Sequence, residues 1–185
     1  MRILIAITGA SGVLYAQRLI DCIDPQRYEL HLVLSAYAPS VVEAELPGGL
    51  VLPAGMRVHD RGSMNVSFAS GSNPPDAMVV IPCSMGTLGR IAHGLSDDLI
   101  SRAADVVLKE RRKLILVPRE TPYNLLHIRN MEIMLLSGAI LLPANPSFYA
   151  RPVSVHDVVD SVVARVLDHL GVPHTLGTRW QAELD

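Results

Sequence analysis

Arg119 and Glu120 stand side by side, one proline after an apolar run at residues 113–117 that predicts a buried strand. A guanidinium at such a strand end can bind phosphate, and a carboxyl group beside it can carry a proton. Adjacent opposite charges are also common on protein surfaces, so an ordinary surface pair stays open as the alternative. The pair makes this strand end a candidate for acid–base chemistry beside a phosphate.

A second candidate follows the first apolar run, where residues 8–12 read Thr-Gly-Ala-Ser-Gly. Gly9 and Gly12 allow backbone N–H groups to approach an anion at the start of the next helix, whose dipole favours negative charge. The segment matches neither the dinucleotide-binding fingerprint nor a P-loop. A plain strand-to-helix turn capped by Ser11 therefore remains the alternative to a phosphate site.

Small polar residues follow two further runs. Ser35 comes after residues 29–34, and a loop of Ser84, Met85, Gly86 and Thr87 comes after residues 77–81. Hydroxyl groups and a glycine can approach the edge of a planar ring or a phosphate oxygen. Both segments could equally be ordinary helix starts capped by serine.

Arg102 and Lys109 are seven residues apart on a predicted helix, so they project from one face about 10 Å apart. Asp105 lies four residues before Lys109 and could hold it in a surface pair. The seven histidines show no metal-ligand spacing, and no metal site is predicted.

The elements that must position these residues are short apolar strands alternating with helices. Continuous apolar runs are typical of strands buried on both faces, hence of a parallel sheet in a doubly wound α/β fold. A helix over residues 154–170 is bounded by Ser154 and Asp157 at its start and by Gly171 at its end. The five predicted strands are residues 2–7, 29–34, 77–81, 113–117 and 139–142.

The chain of 185 residues is interpreted as one domain, 1–185. Residues 47–75 are predicted to be a long surface excursion and residues 174–185 a polar tail. Ligands of open parallel sheets bind beyond the carboxyl ends of the strands, which is where the candidate residues fall.

Composition excludes several classes of function. A formal net charge of −2 argues against nucleic-acid binding, and no apolar run reaches the ~20 residues of a membrane span. The absence of a leader pattern and the presence of only two cysteines favour a cytoplasmic protein. A hydrophobic content of 49% without a membrane span predicts extensive subunit contacts, hence a homo-oligomer.

Taken in order, these segments resemble one family over nearly the whole chain: the UbiX flavin prenyltransferases, formerly described as aromatic-acid decarboxylases. The two most specific blocks are residues 102–112 and 117–122. The further matching segments are residues 8–12, Ser70-Gly71-Ser72, residues 82–87, Phe148-Tyr149 and Arg165.

The resemblance implies a Rossmann-like or flavodoxin-like flavoprotein that assembles as a dodecamer and binds FMN between subunits. It implies transfer of a dimethylallyl group from dimethylallyl phosphate to N5 and C6 of reduced FMN. The prenylated FMN would then serve a UbiD-type decarboxylase as its cofactor. No metal is implied.

The resemblance also implies roles for individual residues. It assigns catalysis to Ser11, Glu45 and Glu120. It assigns cofactor binding to Gly9, Ala10, Ser11, Ser35, Ser84, Met85, Gly86, Thr87 and Arg119. It assigns binding of the prenyl substrate to Arg102, Lys109, Glu120, Tyr149, Arg165 and Trp180, some of them reaching in from neighbouring subunits.

The chain departs from its relatives at two places, and two other functions stay open. Ala36 stands where several relatives have lysine, and Met64 and Phe68 stand near the position of a tryptophan that others carry.

Flavin-dependent cysteine decarboxylases are one alternative, although they usually show Asn-Thr where this chain has Gly86-Thr87. The other alternative is a non-catalytic, flavin-binding subunit of a decarboxylase complex, for which loss of the phosphate-binding cations would be the signature.

Overall fold

A computed structural model describes residues 1–177, which form a six-stranded parallel sheet covered by helices on both faces. Trp180 lies outside the described residues. The strands are β1 (Arg2–Ile7), β2 (Glu29–Leu34), β3 (Arg57–His59), β4 (Ala77–Cys83), β5 (Lys113–Pro118) and β6 (Ile140–Leu141). The helices are α1 (Val13–Asp21), α2 (Ala38–Glu45), α3 (Met85–Ala92), α4 (Leu99–Lys109), α5 (Leu125–Leu136) and α6 (Val155–Leu170).

The strand order is β3-β2-β1-β4-β5-β6, with every pairing parallel. This confirms the predicted doubly wound α/β fold, and the five predicted strands are present with ends shifted by at most two residues. The order reverses between β1 and β4, and the crevice beyond their carboxyl ends is the usual ligand site of such a sheet.

Alternating residues of β1 explain why its sequence is apolar without interruption. Ile3, Ile5 and Ile7 pack on the side of α1 and α6, while Leu4 and Ala6 pack on the side of α3 and α4. Both faces of the strand are therefore core, and neither has room for a polar side chain.

The predicted helix over 154–170 is confirmed together with its caps. The Ser154 hydroxyl accepts a hydrogen bond from the Asp157 N–H (3.1 Å), and the Asp157 carboxylate accepts one from the Ser154 N–H (3.0 Å). Gly171 ends the helix with φ 78°, a conformation that favours glycine. Asp160 then joins α6 to α1 through an ion pair with Arg18 at 2.6 Å.

Residues 47–75 contain structure that the sequence did not predict. They contribute the edge strand β3 and a short 3₁₀ turn, Ser67–Ala69, whose Phe68 is fully buried against the sheet. The Gln17 side chain of α1 also binds the N–H and C=O of Val51, both at 2.9 Å. Over residues 1–177, no helix combines the length and apolarity needed to cross a membrane.

Candidate active site

The N-terminus of α1 is closed by a carboxylate from the end of α2. Glu45 accepts hydrogen bonds from the N–H groups of Gly12 and Val13, both at 2.8 Å, although it lies 33 residues from Gly12 along the chain. Gly12 has φ 110°, a left-handed conformation that favours glycine at this position. The positive end of the α1 dipole therefore already faces an anion that belongs to the chain.

The loop before Gly12 keeps other donors for a ligand. Among the described residues, the backbone N–H groups of Gly9, Ala10 and Ser11 donate to no protein acceptor. Gly9 packs so closely on Tyr37 that a Cβ added to it would lie 2.7 Å from the Tyr37 Cβ. The N–H groups of Gly9, Ala10 and Ser11 are therefore available to bind a phosphate near this loop, whereas those of Gly12 and Val13 already donate to Glu45.

Thr8 ties the exits of β1 and β4 together at the point where the strand order reverses. Its hydroxyl donates to the Pro82 carbonyl (2.7 Å) and accepts from the Ser84 N–H (2.8 Å). Thr8 is fully buried. Sequence reasoning gave it no role, although a hydroxyl directly after a buried strand is the signal that could have shown it.

The loop after β4 forms the N-terminus of α3. Ser84 caps the helix by accepting from the Thr87 N–H at 3.3 Å, and its hydroxyl donates to the Thr87 hydroxyl at 3.1 Å. A Cβ added to exposed Gly86 would meet nothing within 4 Å, so a flat ligand can approach the backbone there. Burial raises the pKa of the neighbouring Cys83 thiol to about 12, which keeps it protonated and unsuited to act as a nucleophile.

Arg119 connects three strand exits. Its backbone N–H donates to the Cys83 carbonyl (3.3 Å), and its Nε donates to the Ser11 carbonyl (3.1 Å). Glu120 is half-buried beside it and accepts from the Thr121 N–H at 3.1 Å. The candidate residues of the first, third and fourth predicted strands therefore share one crevice, and Ser35 joins them because its N–H binds the Ile7 carbonyl at 2.9 Å.

Arg102 and Lys109 lie on α4, outside the crevice formed by the strand exits. Lys109 ends α4, just before β5 begins, whereas Glu120 follows the end of β5. The six residues of β5 separate the amino ends of the strands from their carboxyl ends by roughly 20 Å, at about 3.3 Å per residue. One chain alone does not bring the Lys109 ammonium to the Glu120 carboxyl group.

The ion pairs on α4 differ from the Asp105–Lys109 pair that the sequence left open. Asp105 binds Arg102 at 2.8 Å, and Lys109 instead binds its neighbour Glu110 at 2.5 Å. The alternative in which Asp105 holds Lys109 in a surface pair is therefore not the one observed, since Asp105 pairs with Arg102.

The remaining predicted substrate residues lie on the surface of the described chain. Arg165 is exposed on α6 and pairs with Asp168 at 2.6 Å, and Tyr149 is 58% exposed in the loop after β6. Phe68, one of the two residues near the missing tryptophan, lies in the core against His31 and His59. It therefore cannot line a pocket in the tryptophan's place.

A large apolar surface surrounds α5. Leu125, Leu126 and Leu136 are 63%, 66% and 82% exposed, and of the residues in this helix only Met134 is buried. We call these three leucines the α5 apolar face. Large apolar side chains exposed together on one helix are typical of protein interfaces.

Comparison with known proteins places this geometry in a family. The Flavoprotein family model matches residues 1–167. The chain is 44% identical to the flavin prenyltransferase UbiX of Pseudomonas aeruginosa, over 97% of this chain and 93% of the relative. It is also 44% identical to the flavin prenyltransferase UbiX of Methanocaldococcus jannaschii, over 97% and 98%.

Solved structures agree with the sequence relatives. A dodecameric, FMN-dependent UbiX-like decarboxylase from Escherichia coli O157:H7 superposes with a TM-score of 0.93 at 41% identity, covering 98% of this chain and all of the other. A UbiX protein in complex with FMN and dimethylallyl pyrophosphate superposes with a TM-score of 0.85 at 38% identity, covering 96% and 98%. A PPC decarboxylase, at 21% identity and a TM-score of 0.57, shares the fold alone. The chain belongs to the UbiX family of flavin prenyltransferases.

Proposed function

We propose that this protein transfers a dimethylallyl group from dimethylallyl phosphate to N5, and then C6, of reduced FMN. The observation that carries the proposal is the crevice in which Thr8, Ser84 and Arg119 join three strand exits, in a chain 44% identical to flavin prenyltransferases. The product, prenylated FMN, would be handed to a UbiD-type decarboxylase.

The crevice suits FMN at both ends. The Gly9–Ser11 amides can bind the phosphate, and the Arg119 guanidinium lies beside them through its bond to the Ser11 carbonyl. The open backbone at Gly86 can meet the ring, with Ser84, Met85 and Thr87 around it. We assign the hydroxyl group of Ser35, at the β2 exit, to the ribityl phosphate end.

The donor phosphate needs cations, and the candidate cations of this chain lie on α4 and α6, away from the strand exits that form its own crevice. Arg102, Lys109 and Arg165 are the candidates, with the Tyr149 hydroxyl as a further donor. We infer that these residues reach the crevice from neighbouring subunits, in a dodecamer like that of the E. coli relative. The α5 apolar face supports such an assembly because exposed leucines of this extent gain stability when another subunit covers them.

The chemistry assigns separable tasks to these residues. Reduced FMN supplies the two nucleophilic positions, N5 and C6. Arg102 and Lys109 stabilise the charge that develops on the phosphate as its bond to the allylic carbon breaks. Glu120 holds or moves the proton that the phosphate gains or that C6 loses. Ser11 and Glu45, at the other side of the same crevice, are the further candidates for proton handling.

The direct test is to incubate the protein with reduced FMN and either dimethylallyl phosphate or dimethylallyl diphosphate. The molecular mass of the extracted flavin is then measured by mass spectrometry. We expect a mass gain of one dimethylallyl group with at least one donor. Tight FMN binding without any such gain would contradict the proposal and favour the non-catalytic flavin-binding subunit.

A cytoplasmic location is also proposed, and it is supported by Cys22 and Cys83 both being free thiols.

A further inference from the structure

The turn formed by Ser70, Gly71 and Ser72 lies along α4, between Arg102 in its first half and Lys109 at its end. The Arg102 guanidinium donates to the Ala69 carbonyl at 3.0 Å, and the Ser70 and Ser72 hydroxyl groups bind each other at 3.0 Å. Two turns further along α4, the charged ends of Lys109 and Glu110 lie directly against Gly71. This motif has no role in the function described so far.

Gly71 has no side chain because two charged groups already occupy that space. A Cβ added to it would lie 2.1 Å from the Glu110 Oε1 and 2.2 Å from the Lys109 Nζ. The backbone itself does not require glycine, since the φ of Gly71 is outside the left-handed region. An alanine could adopt this backbone, but only after both charged ends had moved away.

Such a movement would cost little stability. The Lys109 and Glu110 side chains are 47% and 35% exposed, and exposed ion pairs contribute little to folding. Both clashes involve the ends of flexible side chains, which can rotate into solvent. What an added methyl group changes is therefore the position of the Lys109 ammonium, while the fold stays the same.

We propose that Gly71 is a positioning residue for the donor phosphate: the missing side chain leaves the space in which Glu110 holds the Lys109 ammonium beside the Ser70–Ser72 turn. The inference rests on the proposed role of Lys109 in binding the donor. Because an ammonium is a compact point charge whose hydrogen bonds depend on its position, a displacement of about one bond length weakens its contact with phosphate.

The test compares Gly71→Ala with a matched control, Gly48→Ala, in the full-length FMN-loaded protein. A Cβ at Gly48 would meet nothing within 4 Å, and its φ is also outside the left-handed region. We expect Gly71→Ala to raise the KM for dimethylallyl phosphate about tenfold, the size expected for losing one charge-assisted hydrogen bond. The kcat, the FMN affinity and the melting temperature should match those of Gly48→Ala. A lowered melting temperature or FMN affinity in Gly71→Ala alone would show a structural role and overturn the inference.

A double-mutant cycle shows whether Gly71 acts through Lys109. In a Lys109→Ala background, adding Gly71→Ala should raise the KM less than twofold, because the group it displaces is already absent. If Lys109→Ala raises the KM and Gly71→Ala adds its full effect on top, Gly71 does not position Lys109. If Lys109→Ala leaves the KM unchanged, the donor-binding role of Lys109 fails first, and the inference fails with it.

Discussion

At the scale of single residues, Glu120 and Lys109 carry charges suited to different steps. Glu120→Gln keeps the shape of the side chain but removes its ability to exchange a proton. We expect near-normal FMN binding and a loss of maximal rate of roughly 10²–10⁴-fold, the usual contribution of a placed acid or base. Lys109→Ala should instead raise the KM for the donor with a smaller effect on kcat.

Saturation kinetics with each purified variant, alongside FMN binding by fluorescence quenching, separate the two effects. Loss of FMN from Glu120→Gln, with unchanged turnover per bound flavin, would identify Glu120 as a structural anchor. The proton-transfer assignment would then be wrong.

Single residues also show where sequence reasoning stops. Arg119 and Glu120 could be predicted because a charged pair after a buried strand is a local pattern. The contact of Glu45 with the α1 amides could not be predicted from the residues alone, because Gly12 and Glu45 are 33 residues apart and meet only when α2 packs beside α1. The position of Lys109 beside Gly71 likewise depends on tertiary packing.

At the scale of elements, a buried imidazole and a half-buried one join the edge strand to the sheet. His31 on β2 and His59 on β3 are 2.7 Å apart between Nδ1 and Nε2, and the other nitrogen of His31 is 3.1 Å from Glu29. Both contacts are satisfied when neutral His31 donates to Glu29 and accepts from His59. Phe68 covers both rings edge-on.

This arrangement makes stability depend on pH. Burial lowers the pKa of His31 and of His59 below the usual value near 6.5, against a smaller opposing effect of Glu29 on His31. A histidine whose pKa is lowered by folding favours the folded state fully above pH ~6.5 and loses that contribution as the pH falls toward the folded pKa.

We therefore expect the free energy of unfolding to decrease between about pH 7.5 and about pH 5.5. His59→Gln, which cannot titrate there, should reduce this decrease, and exposed His156→Gln should leave it unchanged. Urea denaturation at the two pH values measures the difference. An identical pH dependence in wild type and His59→Gln would rule out this pair as its source.

Within residues 1–177, β3 at this edge of the sheet is the strand that the sequence did not predict. β3 is three residues long, Arg-Val-His, and follows a stretch rich in glycine and proline. As an edge strand it needs no apolar run, because its exposed side can be polar. The inner strands, such as β4 with all seven residues buried, were predictable because both faces are core.

At the scale of the whole molecule, the α5 apolar face predicts how the protein assembles. Leu126→Glu places a charge on a surface that we expect to be buried between subunits, where an unpaired charge is costly. The particle mass measured by light scattering should fall, and prenylation should fall with it, because the donor cations and Glu120 would no longer meet. Arg27→Glu, at an exposed position outside α5, should change neither quantity.

An unchanged particle mass for Leu126→Glu would show that α5 faces solvent in the assembly. Composition alone indicated that some such interface exists, since 49% of the chain is hydrophobic. It could not show which helix forms it, because α5 is apolar around most of its circumference and only packing reveals the side left uncovered.

Lys109 lies near the amino ends of the strands and Glu120 at their carboxyl ends. This placement has a genetic consequence. Because the proposed site is shared, a chain carrying Glu120→Gln and a chain carrying Lys109→Ala have their defects in different halves of it. In an equal mixture, about one quarter of the sites receive two intact halves when subunits assemble at random. Two alleles that each fail alone should therefore complement each other in one cell, whereas two alleles altered in the same half should not.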